Sequence, residues 1–220
     1  MIKLSEILTL DKLTYSNDIP KKHQDKMDAN TGMFKDMEIS QFKSSPPPRN
    51  SSHQTMKEMI SLDRINMDAK TIKKADDIHA YYLEFFDSVG EKYPKQEVDV
   101  LMNDTKPMIY QLKYHYNRPR PYQVAKALDL KFYNQPLETA KTPSYPSGHS
   151  IQGVLVGKYL ASQYPKHSVA IMKIANDISK SRLAANVHFP SDSVFGEKIA
   201  LALYLYMRNT AELSMDKIGE

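Results

Sequence analysis

The 220-residue sequence contains no cysteine. Disulfides, zinc–thiolate centres and cysteine nucleophiles are therefore excluded. Long apolar runs are missing too. The most apolar stretch, Ile199 to Met207, is far short of the roughly 20 residues a membrane-spanning helix needs. The opening segment Met1 to Leu10 has one lysine, a broken apolar patch and no small-residue cleavage site, so it does not read as a signal peptide. The expectation is a soluble chain without a membrane span, cytoplasmic unless a signal has been removed. Charge of one sign is scarce: the formal net charge is +4, and no stretch concentrates Lys and Arg. That argues against nucleic acid as a partner and leaves a mild bias toward anionic ligands. There is no internal repeat and no convincing alternating strand pattern.

What is present fits one globular domain. The length is enough to bury a real core, and 41% hydrophobic residues supply the material for it. Residues 1–45 are polar and irregular, with Asn17, Asp18, Pro20, Asn30 and Gly32 as breakers. The stiff run Pro46-Pro47-Pro48 ends this arm. The arm reads as a surface segment packed on a helical domain at 46–220; a lid or a homo-oligomer contact are the rarer readings. Beyond the arm, helical periodicity dominates. Met56, Met59, Ile60 and Ile65 predict a first helix. Ile72, Ala75, Ile78, Tyr82, Phe85 and Val89 form a second stripe. Val98, Leu101, Met102, Thr105, Met108, Ile109 and Leu112 form a third. Further helices are expected near 150–163, 167–185 and 191–208. The fold class is an all-α, single-domain helical bundle, with the Met, Tyr and Phe stripes as core. Gly153 and Gly157, four apart, read as positions of close helix packing.

Three short segments carry chemistry. The first is Lys113-Tyr-His-Tyr-Asn-Arg-Pro-Arg120-Pro121. Pro119 and Pro121 force the chain out of the helix, because the residue before a proline avoids the α region. Lys113 and Arg120 held this way can clamp an anion, one as a point charge and the other as a fork. The second is Ser144-Tyr-Pro146-Ser147-Gly148-His149. A turn that opens a helix presents unpaired N–H groups to an anion. Gly148 permits close backbone approach, Ser147 adds a hydroxyl, and His149 stands at the rim. The third is Ser181-Arg182, five residues, His188, three residues, then Asp192. Pro190 suits the first position of a helix, which puts Asp192 in the first turn, within reach of His188. A carboxylate on one imidazole nitrogen leaves the other basic and nucleophilic. Each segment alone has a bland reading as a turn, a capped histidine or a solvated face. Together, in this order and spacing, they do not.

The pattern Lys-x6-Arg-Pro, Pro-Ser-Gly-His and Ser-Arg-x5-His-x3-Asp resembles the signature of the phosphatidic acid phosphatase type 2/vanadium haloperoxidase superfamily. It is most similar to the class A bacterial non-specific acid phosphatases, over roughly residues 46–208. The resemblance implies that Lys113, Arg120 and Arg182 bind phosphoryl oxygens, with Ser147 and the Gly148 amide completing the cradle. It implies His188 as the nucleophile of a phosphohistidine intermediate, Asp192 as its orienting group and His149 as general acid, then base. The implied activity is hydrolysis of small-molecule phosphate monoesters, with diphosphates as a further class. No metal or other cofactor is implied, since three cationic side chains supply the charge; vanadate would act as a transition-state analogue. The secreted phosphatases of this group often carry a signal peptide and a cysteine after the Ser-Arg pair; here the stretch is Leu183-Ala184-Ala185-Asn186. Two rival readings share the cradle: a haloperoxidase with vanadate as cofactor, and a non-catalytic phosphate-binding protein of the same fold. Arg118 reads as a structural ion-pair partner. His23, His53, His79, His115 and His167 read as surface or structural.

Overall fold

Side-chain capping sets four of the helix starts in the computed structural model, which describes residues 9–29 and 31–216, and no side chains over 211–216. Most of the Met1 to Leu10 segment and the breaker Asn30 lie outside the described residues. Helices α1 (Lys21–Asp28) and α2 (Ser40–Lys43) precede α3 (His53–Leu62), α4 (Ala69–Ala75), α5 (Ile78–Val89) and α6 (Lys95–Asp104). Then follow α7 (Lys106–Tyr116), α8 (Pro121–Ala127), α9 (Gly148–Gln163), α10 (Ser168–Ala184) and α11 (Pro190–Asp216). No strand occurs among the described residues, and the fold is the all-α bundle that the periodicity implies. Ser52, Asp68, Asp77 and Ser147 each accept a hydrogen bond from a backbone N–H in the first turn of the helix that follows. Gly90, at φ 71°, closes α5 in the left-handed conformation that costs glycine little.

Two expected helices are in fact pairs. The second stripe breaks at Asp76-Asp77: Asp76 ends α4, and Asp77 caps α5 by accepting from Ala80 N. The apolar period continues across the break, so periodicity alone could not reveal it. The third stripe breaks at Thr105, and Pro107 stands in the first turn of α7, where its missing N–H is tolerated. The first helix ends at Leu62, short of Ile65, and Ile60 is exposed. The polar arm also differs from an irregular segment. It contains α1 and α2, and it inserts Phe34 and Phe42 into the core beside Met108, Leu112 and Tyr145.

Helix α9 runs through the centre, apolar nearly all round as a fully surrounded helix must be. Ile151 and Leu155 join Ile109, Leu112, Ile199 and Leu203 on one side. On the other, Val156 and Leu160 meet Tyr82, Phe86, Ile171 and Ile178. Gly153 and Gly157 face α10: a Cβ at Gly153 would lie 2.7 Å from Ile178 Cγ2, and one at Gly157 2.7 Å from Ala175 Cβ. At Gly196 of α11 a Cβ would come within 2.8 Å of the Ser147 carbonyl. The two helices thus meet where α9 begins, and that point is also where the three chemical segments converge. Among the described residues, no helix is long and apolar enough to cross a membrane.

Candidate active site

Asn117, left-handed at φ 46°, ends α7. The prolines then hold Arg118 to Pro121 out of helix, and Arg120 (φ −80°, ψ 160°) becomes the N-cap of α8. Its buried guanidinium is fixed on three sides. Nε donates to Thr142 O at 2.9 Å, and one terminal nitrogen reaches Val187 O at 2.7 Å. The same nitrogen lies 3.2 Å from His188 Nε2. Lys113, one helical segment earlier and also buried, donates to Pro143 O at 2.6 Å. Burial, then the nearby charges of Arg120 and Arg182, push the Lys113 ammonium well below its ordinary pKa. Burial, then Arg182, lowers Arg120 to about 10. Asp192 offsets only part of the repulsion among these cations, an arrangement that an anion would relieve.

His188 stands between a cation and a carboxylate. Its Nδ1 is 3.1 Å from Asp192 Oδ2, and its Nε2 faces Arg120. A guanidinium only donates, so Nε2 must be the accepting nitrogen and Nδ1 carries the proton to Asp192. Burial, then Arg120, keep the imidazole neutral far below its usual pKa. Asp192 is itself enclosed. Oδ2 accepts also from Phe189 N at 2.9 Å and from the Ser144 hydroxyl. Oδ1 accepts from Arg118 at 2.6 Å. Burial alone would raise this carboxyl; Arg118 and His188 together overcome that and lower it. Arg118 continues outward to Glu58 Oε2 at 3.3 Å and lies 4.0 Å over the Phe189 ring. It is a structural ion-pair residue, and the carboxylate it grips is the partner of His188.

A second histidine–carboxylate pair faces the first. His149 Nε2 lies 3.1 Å from Asp76 O and 3.5 Å from Asp76 Oδ1. A carbonyl only accepts, so Nε2 carries a proton and Nδ1 is the basic nitrogen of the neutral ring. Burial, then Arg182, lower the His149 pKa, while Asp76 opposes them. Arg182, in the last turn of α10, does not turn to the cradle. It donates to Asp76 Oδ1 at 2.5 Å and to Thr139 Oγ1 at 3.0 Å. Its Nε is buried without a hydrogen-bond partner.

Lys113, Arg120, Gly148, His149 and His188 line one cavity of about 330 Å³. Ser147, Asp192 and Arg182 stand behind its wall. The Ser147 hydroxyl accepts from Ser150 N at 3.3 Å and from Ser150 Oγ at 2.9 Å, at the start of α9. Gly148 opens α9 with its backbone N–H unpaired within the helix. A Cβ on Gly148 would be 3.8 Å from Lys113 Cε, in ordinary contact, so the protein itself leaves space there. Sequence reasoning missed Asp76, Thr139 and Thr142, and it gave Ser144 no role. Ser144 belongs to a motif already singled out, so it carried a signal. Asp76 did not, being hidden inside an unbroken apolar stripe. Among the described residues, no group of three or more His, Asp or Glu is placed to hold a metal ion.

Residues 102–214, just over half of the chain, match the PAP2 superfamily. No curated protein matches the sequence. Among solved structures, the fold resembles a chain described as the first bacterial vanadium-dependent iodoperoxidase, with a TM-score of 0.58 and 17% identity. The similarity covers 79% of this chain and 53% of that one, so this chain spans about half the length of that protein. At that identity the likeness speaks to fold alone. The cation-lined cavity, the two histidine–carboxylate pairs and the matched span agree on one assignment: the chain belongs to the PAP2 superfamily.

Proposed function

We propose that the protein is a soluble, metal-independent phosphatase of the acid-phosphatase kind, hydrolysing small-molecule phosphate monoesters. The observation that carries this reading is the state of His188. Its unprotonated Nε2 accepts from Arg120 at the cavity lining while Asp192 holds Nδ1–H, and Arg120 would free that lone pair on turning to a phosphoryl oxygen. That is the arrangement a nitrogen nucleophile needs. In the proposed first step Nε2 attacks phosphorus and the bond to the leaving oxygen breaks. His149, protonated at Nδ1, gives that proton to the leaving oxygen. Water then attacks the phosphohistidine, its proton going to His149, and phosphate leaves with His188 restored. Lys113, Arg120 and the Gly148 amide would hold the equatorial oxygens, whose charge is the main thing to stabilise. Ser147 would add its hydroxyl proton, both its lone pairs being engaged by Ser150. Arg182 would join by exchanging the Asp76 carboxylate for a phosphoryl oxygen. A bound dianion offsets the cations that lower His149, so binding itself would favour the protonated acid.

A panel of phosphate esters assayed with and without chelator tests this. Turnover of p-nitrophenyl phosphate should survive EDTA, and orthovanadate should inhibit competitively, as a five-coordinate analogue does. Activity lost on chelation and restored by a divalent metal would defeat the mechanism. The fold shared with an iodoperoxidase favours one second reading, a haloperoxidase with vanadate as cofactor. Lys113, Arg120 and the Gly148 amide fit vanadate as they fit phosphate, and halide oxidation by peroxide with vanadate would reveal that activity. Phosphate binding without turnover of any ester would instead mark a non-catalytic phosphate-binding protein.

A further inference from the structure

Besides the cradle residues and the paired Lys141 and Glu138, three lysines line the cavity. Lys22 and Lys26 come from α1, in the arm, and Lys106 from the start of α7. The lysine salt bridges among the described residues use Lys74, Lys95, Lys141 and Lys173, so none of these three has a carboxylate within salt-bridge distance. Lys106 donates to Asn103 Oδ1 at 2.6 Å, and burial, then the charge of Lys26, lower its pKa against the opposing pull of Asp99. An anion bound among these ammonium groups would relieve their mutual repulsion.

The arm is also held in place. His23, buried, pairs through Nδ1 with the Tyr114 hydroxyl at 2.6 Å. Gln111 donates to Met27 O at 2.7 Å, and Lys26 donates to the Tyr110 hydroxyl at 3.2 Å. Helix α7 thus carries Lys106, Tyr110 and Lys113 on one face, four and three residues apart. Seven residues of helix separate the rim cation Lys106 from the cradle cation Lys113, a rise of about 10 Å. A cavity of about 330 Å³ is at the lower end of small-ligand pockets and holds more than one phosphoryl group.

We propose that the ester accepted here carries a second phosphate in its leaving portion, separated from the first by a short carbon framework and held by Lys22, Lys26 and Lys106. The site selects bisphosphorylated small molecules over simple monoesters. This rests on the phosphatase reading for the chemistry, but the second anion subsite stands on its own geometry. Adjacent phosphates of a diphosphate are too close together to engage both ends of the Lys113–Lys106 line.

The test compares butane-1,4-diol bisphosphate with butyl phosphate, using the full chain and a Lys22→Gln/Lys26→Gln/Lys106→Gln variant. The parent should prefer the bisphosphate by at least about tenfold in kcat/KM, mostly through KM, since hydrogen bonds to charged groups are worth that much. The triple variant should lose that preference, and added salt should erode it. Turnover of p-nitrophenyl phosphate, which has no second anion, should change by less than about threefold. Equal kcat/KM for the two butyl esters in the parent overturns the proposal. So does a triple variant that loses both equally. Calorimetry with butane-1,4-bisphosphonate and butylphosphonate reads the subsite without turnover. If the bisphosphonate binds no tighter, the second subsite does not exist. If it binds tighter but no ester is hydrolysed, the subsite stands and the phosphatase reading fails.

Discussion

Arg118→Met removes one cation from between two buried carboxylates. The side chains of Arg118, Asp192 and Glu58 are 1%, 0% and 5% exposed, so solvent screens little of the interaction. Methionine keeps the apolar stem near the Phe189 ring but leaves Asp192 Oδ1 and Glu58 Oε2 without a counter-ion. Breaking a buried pair by deleting one partner costs about 3–5 kcal/mol. Against a total stability of about 5–15 kcal/mol, that is a large fraction. At this chain length each kcal/mol moves Tm by about 2–4 °C, so a fall of about 6–20 °C is expected. The pH dependence has a definite sign. The folded pKa of Asp192 lies below its unfolded value, so its stabilisation is complete above about pH 4 and is lost as pH falls through the folded value. Without Arg118 that pKa rises. The gap between variant and parent should therefore be full at neutral pH and shrink in acid, where the variant's Asp192 takes up its proton. Urea denaturation from pH 4 to 8 measures this. A neutral-pH loss under about 1 kcal/mol, as for an exposed pair, would refute the reasoning. So would a gap that widens in acid.

Other perturbations separate the roles of the site residues. In kcat/KM, which reports the phosphorylation step, His149→Ala should slow alkyl phosphates by about 10²–10⁴-fold and p-nitrophenyl phosphate far less, because that leaving group needs no proton; equal losses of kcat/KM on both esters would remove His149 as the acid. Asp76→Asn removes the charge that raises the His149 pKa, so the alkaline limb of kcat should move to lower pH, and a stationary limb would count against the pair. Gly148→Ala meets only ordinary contacts at 3.5 and 3.8 Å, so its Tm should be unchanged, while vanadate affinity falls at least about tenfold. Vanadate binding at parental strength would mean that the anion does not approach Gly148.

How much of this was legible in the sequence depended on distance along the chain. Helices α9, α10 and α11 were readable because glycine and proline signals bound each apolar stripe. The α4–α5 and α6–α7 breaks were not, since the apolar period runs through them and only the capping at Asp77 and the proline at 107 interrupt the backbone. Helix α1 gave no apolar stripe to find. It is held by Tyr114 and Tyr110, 91 and 84 residues away. The same holds within the site. The His188–Asp192 pair is four residues apart and was visible as spacing. Asp76 and Arg182 are 106 apart, and Glu58 and Ser191 133 apart. Such contacts exist only once the bundle has closed.

The proposed identity of His188 as the nucleophile is tested most directly by trapping the intermediate. His149→Ala, mixed with radiolabelled p-nitrophenyl phosphate and quenched within milliseconds in alkali, should retain label, because loss of the second-step base slows hydrolysis of the intermediate more than its formation. The label should be acid-labile and alkali-stable, as a phosphoramidate is, and should map to the peptide containing His188. It should be absent when His188→Ala is added. Label on any other residue, or label that persists without His188, would contradict the nucleophile assignment.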